Sequence, residues 1–164
     1  MTRIGLISDT HHLLDETVFE HFKNCDQIWH AGDFGTLELA DKLNSFKPLR
    51  GVYGNIDGRD IRSVYPEKNR FVCEDSTVLM THIGGYPGKY DPRIREEIQN
   101  NPPRLFISGH SHILKVMFDK KANILHLNPG AAGKHGWHKV RTLLRFSISE
   151  EKIYNLEVVE LANR

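Results

Sequence analysis

The chain has 164 residues, 39% of them hydrophobic and 26% charged, with a net charge of +1 when histidine is neutral. That length is enough to bury a real core as one domain spanning 1–164, and the near-neutral balance argues against a general electrostatic grip on nucleic acid or an anionic membrane. There is no signal-like segment or bilayer-length apolar stretch, and Cys25 and Cys73 show no CxxC spacing, so the expected setting is a reducing cytoplasm with two inert thiols.

Ile4 to Ser8 is a short apolar run without alternation, as in a strand covered on both faces. Leu14, Val18 and Phe22 then repeat at helical spacing, and Gln27 to Ala31 returns to strand. Leu39, Ala40, Leu43 and Phe46 form a second helical stripe before the strand Leu49 to Tyr53. This β-α-β-α-β opening predicts right-handed crossovers and parallel strands. Phe71 to Glu74 and Thr77 to Thr81 pair as a hairpin around Asp75-Ser76, and Asp91-Pro92 starts a helix with Ile94 and Ile98 inward. Arg104 to Ser108, Leu114 to Phe118, Ile124 to Leu127, Val140 to Ile148 and Lys152 to Glu160 all read as strands. The expected fold is α/β, a four-layer α-β-β-α sandwich of two stacked mixed sheets flanked by helices.

Five of these strands end in groups that bind cations. Asp9-Thr10-His11 follows the first, Gly32-Asp33 the second, Gly54-Asn55-Ile56-Asp57 the third, His82 the run Val78 to Thr81, and Gly109-His110-Ser111-His112 the strand before it. Strand ends are rigid and their loops accessible, and His, Asp and Asn are nitrogen and oxygen donors suited to divalent transition metals. One Asp-x-His or Gly-Asp alone would say little; the ordered series is far more specific.

That series resembles the calcineurin-type metallophosphoesterase superfamily over Ile4 to about Gly130, and the short chain is similar to its small bacterial and archaeal phosphodiesterases. The resemblance implies that Asp9, His11 and His112 hold one metal, that Asn55, His82 and His110 hold a second, and that Asp33 bridges them with one carboxylate oxygen to each. It also implies hydrolysis of a small phosphodiester by in-line attack of a metal-bridging hydroxide, with no phosphoenzyme. Manganese is the first choice of cation; iron, zinc, nickel and cobalt accept the same donors. Two divalent ions against two carboxylates and a hydroxide leave a residual of about +1, which suits an anionic phosphate ester. Within the same fold, the alternatives are a phosphomonoesterase or nucleotidase, and a protein-binding scaffold that has lost hydrolysis. No extended nucleic-acid surface or membrane partner is expected, and a homo-oligomer is left open.

The sequence departs from the family pattern in two places. Ile56 stands where many members carry a histidine that protonates the leaving oxygen, which leaves His12, His135 and His138 as candidates for that task. Ile83 and the loop Tyr86-Pro87-Gly88-Lys89-Tyr90 are expected either to form a cleft wall with stacking tyrosines or to be a solvated surface loop. Asp57 is either a catalytic-site residue behind the ligands or a turn cap, and His30 a packed residue that orients a ligand. Asn128 to Gly133 is a small-residue turn that lets backbone approach the site, and Lys134, Lys139 and Arg141 form either a strand's polar face or an anion patch.

Overall fold

The computed structural model describes residues 1–164. Strands β1 (Thr2–Ile7), β2 (Gln27–His30) and β3 (Leu49–Gly51) run parallel, connected by helices α1 (Thr17–Phe22) and α2 (Leu37–Phe46). The short helix α3 (Arg59–Arg62) leads to the antiparallel pair β4 (Lys68–Cys73) and β5 (Ser76–Thr81), then to a small hairpin, β6 (Gly85–Tyr86) and β7 (Lys89–Tyr90). Helix α4 (Pro92–Asn100) precedes β8 (Leu105–Ile107), β9 (Leu114–Asp119), β10 (Ile124–Pro129), β11 (Val140–Ser149) and β12 (Lys152–Asn163).

Two five-stranded mixed sheets result. One has the order β12-β11-β1-β2-β3, the other β4-β5-β8-β10-β9. In the second sheet β5, β8 and β10 are parallel, while β4 and β9 close its edges antiparallel. The unbroken apolar runs are explained by burial on both faces. From β1 and β2, Ile4, Leu6 and Trp29 join Val78, Met80, Leu105 and Ile107 of the other sheet in one cluster between the sheets. Ile7 and Ile28 point the other way and pack with Val18, Phe22, Leu39 and Leu43 of α1 and α2. On the outer face of the second sheet, Leu79, Phe106 and Ile124 are covered by Ile94 and Ile98 of α4. The layers are therefore helix, sheet, sheet, helix. Trp29 sits in the middle layer, edge-on to Phe71 and Phe146 at 5.0 and 5.8 Å.

Helix starts follow their caps. Thr36 accepts from the Leu39 N–H at 3.2 Å, and Asp91 accepts from the Arg93 N–H at 2.9 Å with Pro92 at the first helical position. Helix α1 is shorter than its apolar stripe, because Asp15 receives the Thr17 N–H at 2.9 Å and leaves Leu14 outside the helix. The β4–β5 turn falls at Glu74-Asp75, one residue earlier than predicted. Both have left-handed φ values, 48° and 66°, as a two-residue hairpin turn of this hand requires, and Ser76 already pairs with Cys73. Cys25 and Cys73 are buried free thiols whose pKa values burial pushes up. No helix is long and apolar enough to cross a membrane.

Candidate metal centre

Parallel strands all expose their carboxyl ends on one side, so the residues that follow β1, β2, β3, β5 and β8 meet there. Asp9 lies behind β1, Asp33 behind β2, Asn55 behind β3, His82 behind β5, and His110 and His112 behind β8. Two groups of donors come together: Asp9, His11 and His112, and Asp33, His82 and His110, the donor atoms of each within 4.8 Å of one another. Asn55 joins the second group, with its Oδ1 3.0 Å from His110 Nδ1.

The carboxylates are aimed by spending their other oxygen. Asp9 Oδ2 accepts from the Ser8 hydroxyl at 2.6 Å and the His110 N–H at 3.1 Å. Its Oδ1 is left facing His112, His11 and His82 Nε2 at 3.2, 3.6 and 3.8 Å. Asp33 Oδ1 accepts from the Ile56 N–H at 3.0 Å, while Oδ2 lies 3.3 Å from His11 Nε2 and 3.2 Å from His82 Nε2. Asp33 therefore faces both groups with one oxygen, not with one oxygen for each. His82 donates Nδ1–H to the Ala31 carbonyl at 2.7 Å, which leaves Nε2 as a lone-pair donor toward the two carboxylates.

Asp9 Oδ1, His11 Nε2 and His82 Nε2 are buried without a hydrogen-bond partner. Buried polar atoms are normally satisfied, so three convergent orphans need an explanation. Separations of 3.2–3.6 Å within each group, Asp33 counted in both, fit neighbouring ligands in one coordination sphere, given metal–ligand bonds of about 2.0–2.2 Å. The oxygen and imidazole donors fit divalent transition metals. Without a cation, protons stand in. Burial raises the Asp9 and Asp33 pKa values, but neighbouring histidines more than reverse this and hold both well below the usual carboxylate range. Burial lowers the His11 pKa, yet Asp33 and Asp9 lift it to about 9; His82 is raised in the same way.

The backbone here is under torsional load. Asp9, His11, Asp33, His110 and His112 all adopt left-handed φ, from 44° to 70°, at roughly 1–3 kcal/mol each. Gly54 is required by close approach, since an added Cβ would collide with Asp33 Oδ1.

Behind the ligands lies a polar frame. Asp57 is buried and its carboxylate accepts the N–H groups of Asp33, Phe34, Gly35 and Gly54 at 2.8–3.2 Å. It tethers the loops after β2 and β3 and is a positioning residue, neither a group in the cleft nor a simple turn cap. His30 does what a packed orienting residue should. Its Nδ1 accepts the Gly32 N–H at 3.1 Å, and its Nε2 lies 3.1 Å from Thr10 Oγ1, whose hydroxyl donates to the Phe34 carbonyl at 2.9 Å. Burial drops the His30 pKa to about 3, so the ring is neutral.

Three supporting groups were missed from the sequence. Arg62 donates to the Asp57 carbonyl at 2.7 Å and to the Asn55 carbonyl at 3.4 Å. Asn128 donates to the Gly109 carbonyl and Ser111 Oγ, both at 3.1 Å, and so holds the loop carrying His110 and His112. Ser8 fixes Asp9. Only its position beside Asp9 in the sequence marked it; Arg62 and Asn128 carried no such signal.

Over the donors opens a cleft of about 550 Å³ lined by His11, Asp33, Asn55, His110 and His112 together with Ile56, Ile113, His135, Trp137 and His138. His12 is not among its lining residues; its ring packs by Gly35. His135 stacks on His11 at 4.8 Å, and His138 donates Nε2–H to the Gly133 carbonyl at 2.8 Å. Trp137 is 98% exposed at the rim. The tyrosine loop lies elsewhere. Tyr90 donates to Asp119 at 2.7 Å and Tyr86 packs under Lys115, so this segment is a hairpin against β9 and no cleft wall. The Asn128–Gly133 turn supports the Asp9 loop from behind, with Ala132 N–H on the Ser8 carbonyl and Gly133 N–H on the Asp9 carbonyl. Arg141 is buried, paired with Asp15 at 3.0 Å, and belongs to no anion patch.

Comparison with known proteins agrees with this geometry. The calcineurin-like phosphoesterase superfamily domain matches residues 2–151, and the chain belongs to that family. It is 30% identical over 133 residues to a protein of Methanothermobacter thermautotrophicus named a probable metallophosphoesterase, covering 78% of this chain and 76% of that one. In fold it is similar to an archaeal phosphodiesterase (TM-score 0.75, 20% identity, 97% of this chain and 99% of the other). It is also similar to Vps29 of Entamoeba histolytica complexed with zinc (TM-score 0.74, 14% identity, 98% of each chain).

Proposed function

We propose that the chain is a dinuclear metal-dependent phosphodiesterase of the cytoplasm acting on a small phosphodiester. The observation that carries this reading is the pair of donor groups joined by Asp33 Oδ2, with three of their atoms buried and otherwise unpartnered. Asp9, His11 and His112 would hold one cation, and Asn55, His82 and His110 the other, with Asp33 between. When bound, such a pair lowers the pKa of a shared water and offsets phosphate charge. Ser8, Asp57 and Asn128 fix the donors in advance, which is where a hydrolytic site gains its precision.

The organic part of the substrate meets Ile56, Ile113 and Trp137 at the cleft rim, an apolar surface suited to an esterified phosphate more than to a bare monoester. Ile56 offers no proton to a leaving group. Rates are therefore expected to depend steeply on leaving-group acidity, with aryl diesters far ahead of alkyl diesters.

The test is turnover of bis(p-nitrophenyl) phosphate against p-nitrophenyl phosphate with added Mn²⁺, Zn²⁺ or Co²⁺. The expected result is a diester kcat/KM at least about tenfold higher, with Asp33→Ala and His110→Ala each down by about 10³-fold. A monoester preference would make the chain a phosphatase or nucleotidase. Failure to hydrolyse either ester with metal demonstrably bound would make it a scaffold.

A further inference from the structure

Asn55 borders two cavities. One is the cleft over the donors; the other, about 360 Å³, is lined by Asn55 and His82 together with Tyr53, Arg62, Glu67, Lys68 and Arg93 among others. Its charge is lopsided, three cations against the single carboxylate of Glu67, in a chain whose net charge is only +1. The cations arrive from separate elements: Arg62 ends α3, Lys68 opens β4 and Arg93 lies in the first turn of α4.

These side chains are not all engaged elsewhere. Lys68 makes no ion pair. Arg93 is 64% exposed and 3.7 Å from Asp91, whose Oδ1 already caps α4. Arg62 is ordered in advance. Its Nε is bound to the Asp57 carbonyl, its Nη2 reaches the Asn55 carbonyl at 3.4 Å, and its guanidinium lies 4.4 Å over the Tyr53 ring, which fixes the plane of the fork and leaves Nη1 over. Ordered guanidinium beside a lysine suits an anion with several acceptor oxygens, for which phosphate is the natural match.

We propose that this pocket is a subsite for a second phosphate, carried on one ester arm of the substrate while the other arm lies against Ile56, Ile113 and Trp137. The proposal rests on the phosphodiesterase reading and names its substrate class: a small phosphodiester with a terminal phosphate, such as a 5′-phosphorylated dinucleotide. The metal centre at the floor of the first cleft, which the second pocket adjoins through Asn55 and His82, would handle the scissile group. Hydrolysis of a plain diester needs neither Lys68 nor Arg93, so their convergence beside the centre is what the second phosphate explains.

The experiment compares the dinucleotides TpT and pTpT, which differ only by the terminal phosphate, in the wild-type chain and in the double variant Lys68→Gln/Arg93→Gln. With Mn²⁺, KM for pTpT is expected to be about tenfold below that for TpT in the wild type, and the ratio to shrink below about twofold in the double variant or at high salt. The same ratio is read by calorimetric titration of both dinucleotides into EDTA-treated protein, where no turnover occurs. Equal KM and Kd for the two dinucleotides, or a preference that survives the double variant, overturns the subsite. Wild-type turnover of bis(p-nitrophenyl) phosphate tests the underlying reading separately. If that fails while pTpT still binds better in a Lys68- and Arg93-dependent way, the subsite stands and the phosphodiesterase reading falls.

Discussion

The loop after β2 and the loop after β8 both present candidate ligands, yet they are held differently. Three successive N–H groups of the first, from Asp33, Phe34 and Gly35, are taken by the Asp57 carboxylate, and Thr10 and His30 bind it from beneath. The second relies on the Asn128 amide, on a backbone bond from the Gly109 N–H to the His82 carbonyl at 3.0 Å and on one bond from the His110 N–H to Asp9. Asp33 is buried while His110 is exposed. The carboxylate, which must stay charged away from water, is set rigidly; the imidazoles sit at the rim on a lighter frame. Ligand position on one side of the centre is thus a property of the core, and on the other a property of a loop.

If so, Asp57→Asn should do the most damage. Its amide would turn a donor toward backbone N–H groups, with an expected loss of about 3 kcal/mol in urea unfolding and roughly 10- to 100-fold in metal affinity. A loss below about 1 kcal/mol would erase the contrast between the loops. Asn128→Ala should cost less, about 1–2 kcal/mol, and weaken metal binding about tenfold while sparing the Asp33 side.

Next comes proton release on metal uptake. In the metal-free chain His11 keeps its proton up to about 9, because Asp33 and Asp9 outweigh burial. A cation must displace that proton, so calorimetry at pH 7.5 in buffers of different ionisation enthalpy should show about one or more protons released per chain, and affinity should fall as the solution is acidified below pH 9. Uptake without proton release would detach His11 from the centre.

The last effect lies outside the centre. His126 is buried and donates Nδ1–H to the Phe106 carbonyl at 3.1 Å; burial holds its pKa near 4 against 6.5 for a free side chain. As pH falls, the unfolded chain binds this proton first, so the stability present above pH 6.5 is lost between 6.5 and 4. At pH 5 this amounts to about 2 kcal/mol. That part of the pH slope should vanish in His126→Gln.

The positions that converge on the centre were legible because each follows a buried strand, and parallel strands deliver their ends to one place. Asp9, His11, Asp33, Asn55, His82, His110 and His112 all arrive there. The frame was harder to read. Asp57 reaches Asp33 across a gap of 24 residues, and only loop closure, not periodicity, decides whether such a carboxylate caps its own turn or grips another. Whether the Tyr86–Tyr90 loop walls the cleft or lies on the surface stays open in the sequence for a similar reason. Tyr86 and Tyr90 looked suitable by chemistry, but two-residue strands fold them onto β9, and the overhang comes from the segment bearing His135, Trp137 and His138. Helix α3, at four residues, is too short for any apolar stripe to announce it.

The left-handed backbone at Asp9, His11, Asp33, His110 and His112 has a consequence for evolution in the laboratory. Glycine at any of these positions would relax the torsion while deleting a donor. Selection for heat tolerance alone would therefore drift toward sturdier, inert descendants, and only a screen that also scores turnover would keep the centre intact.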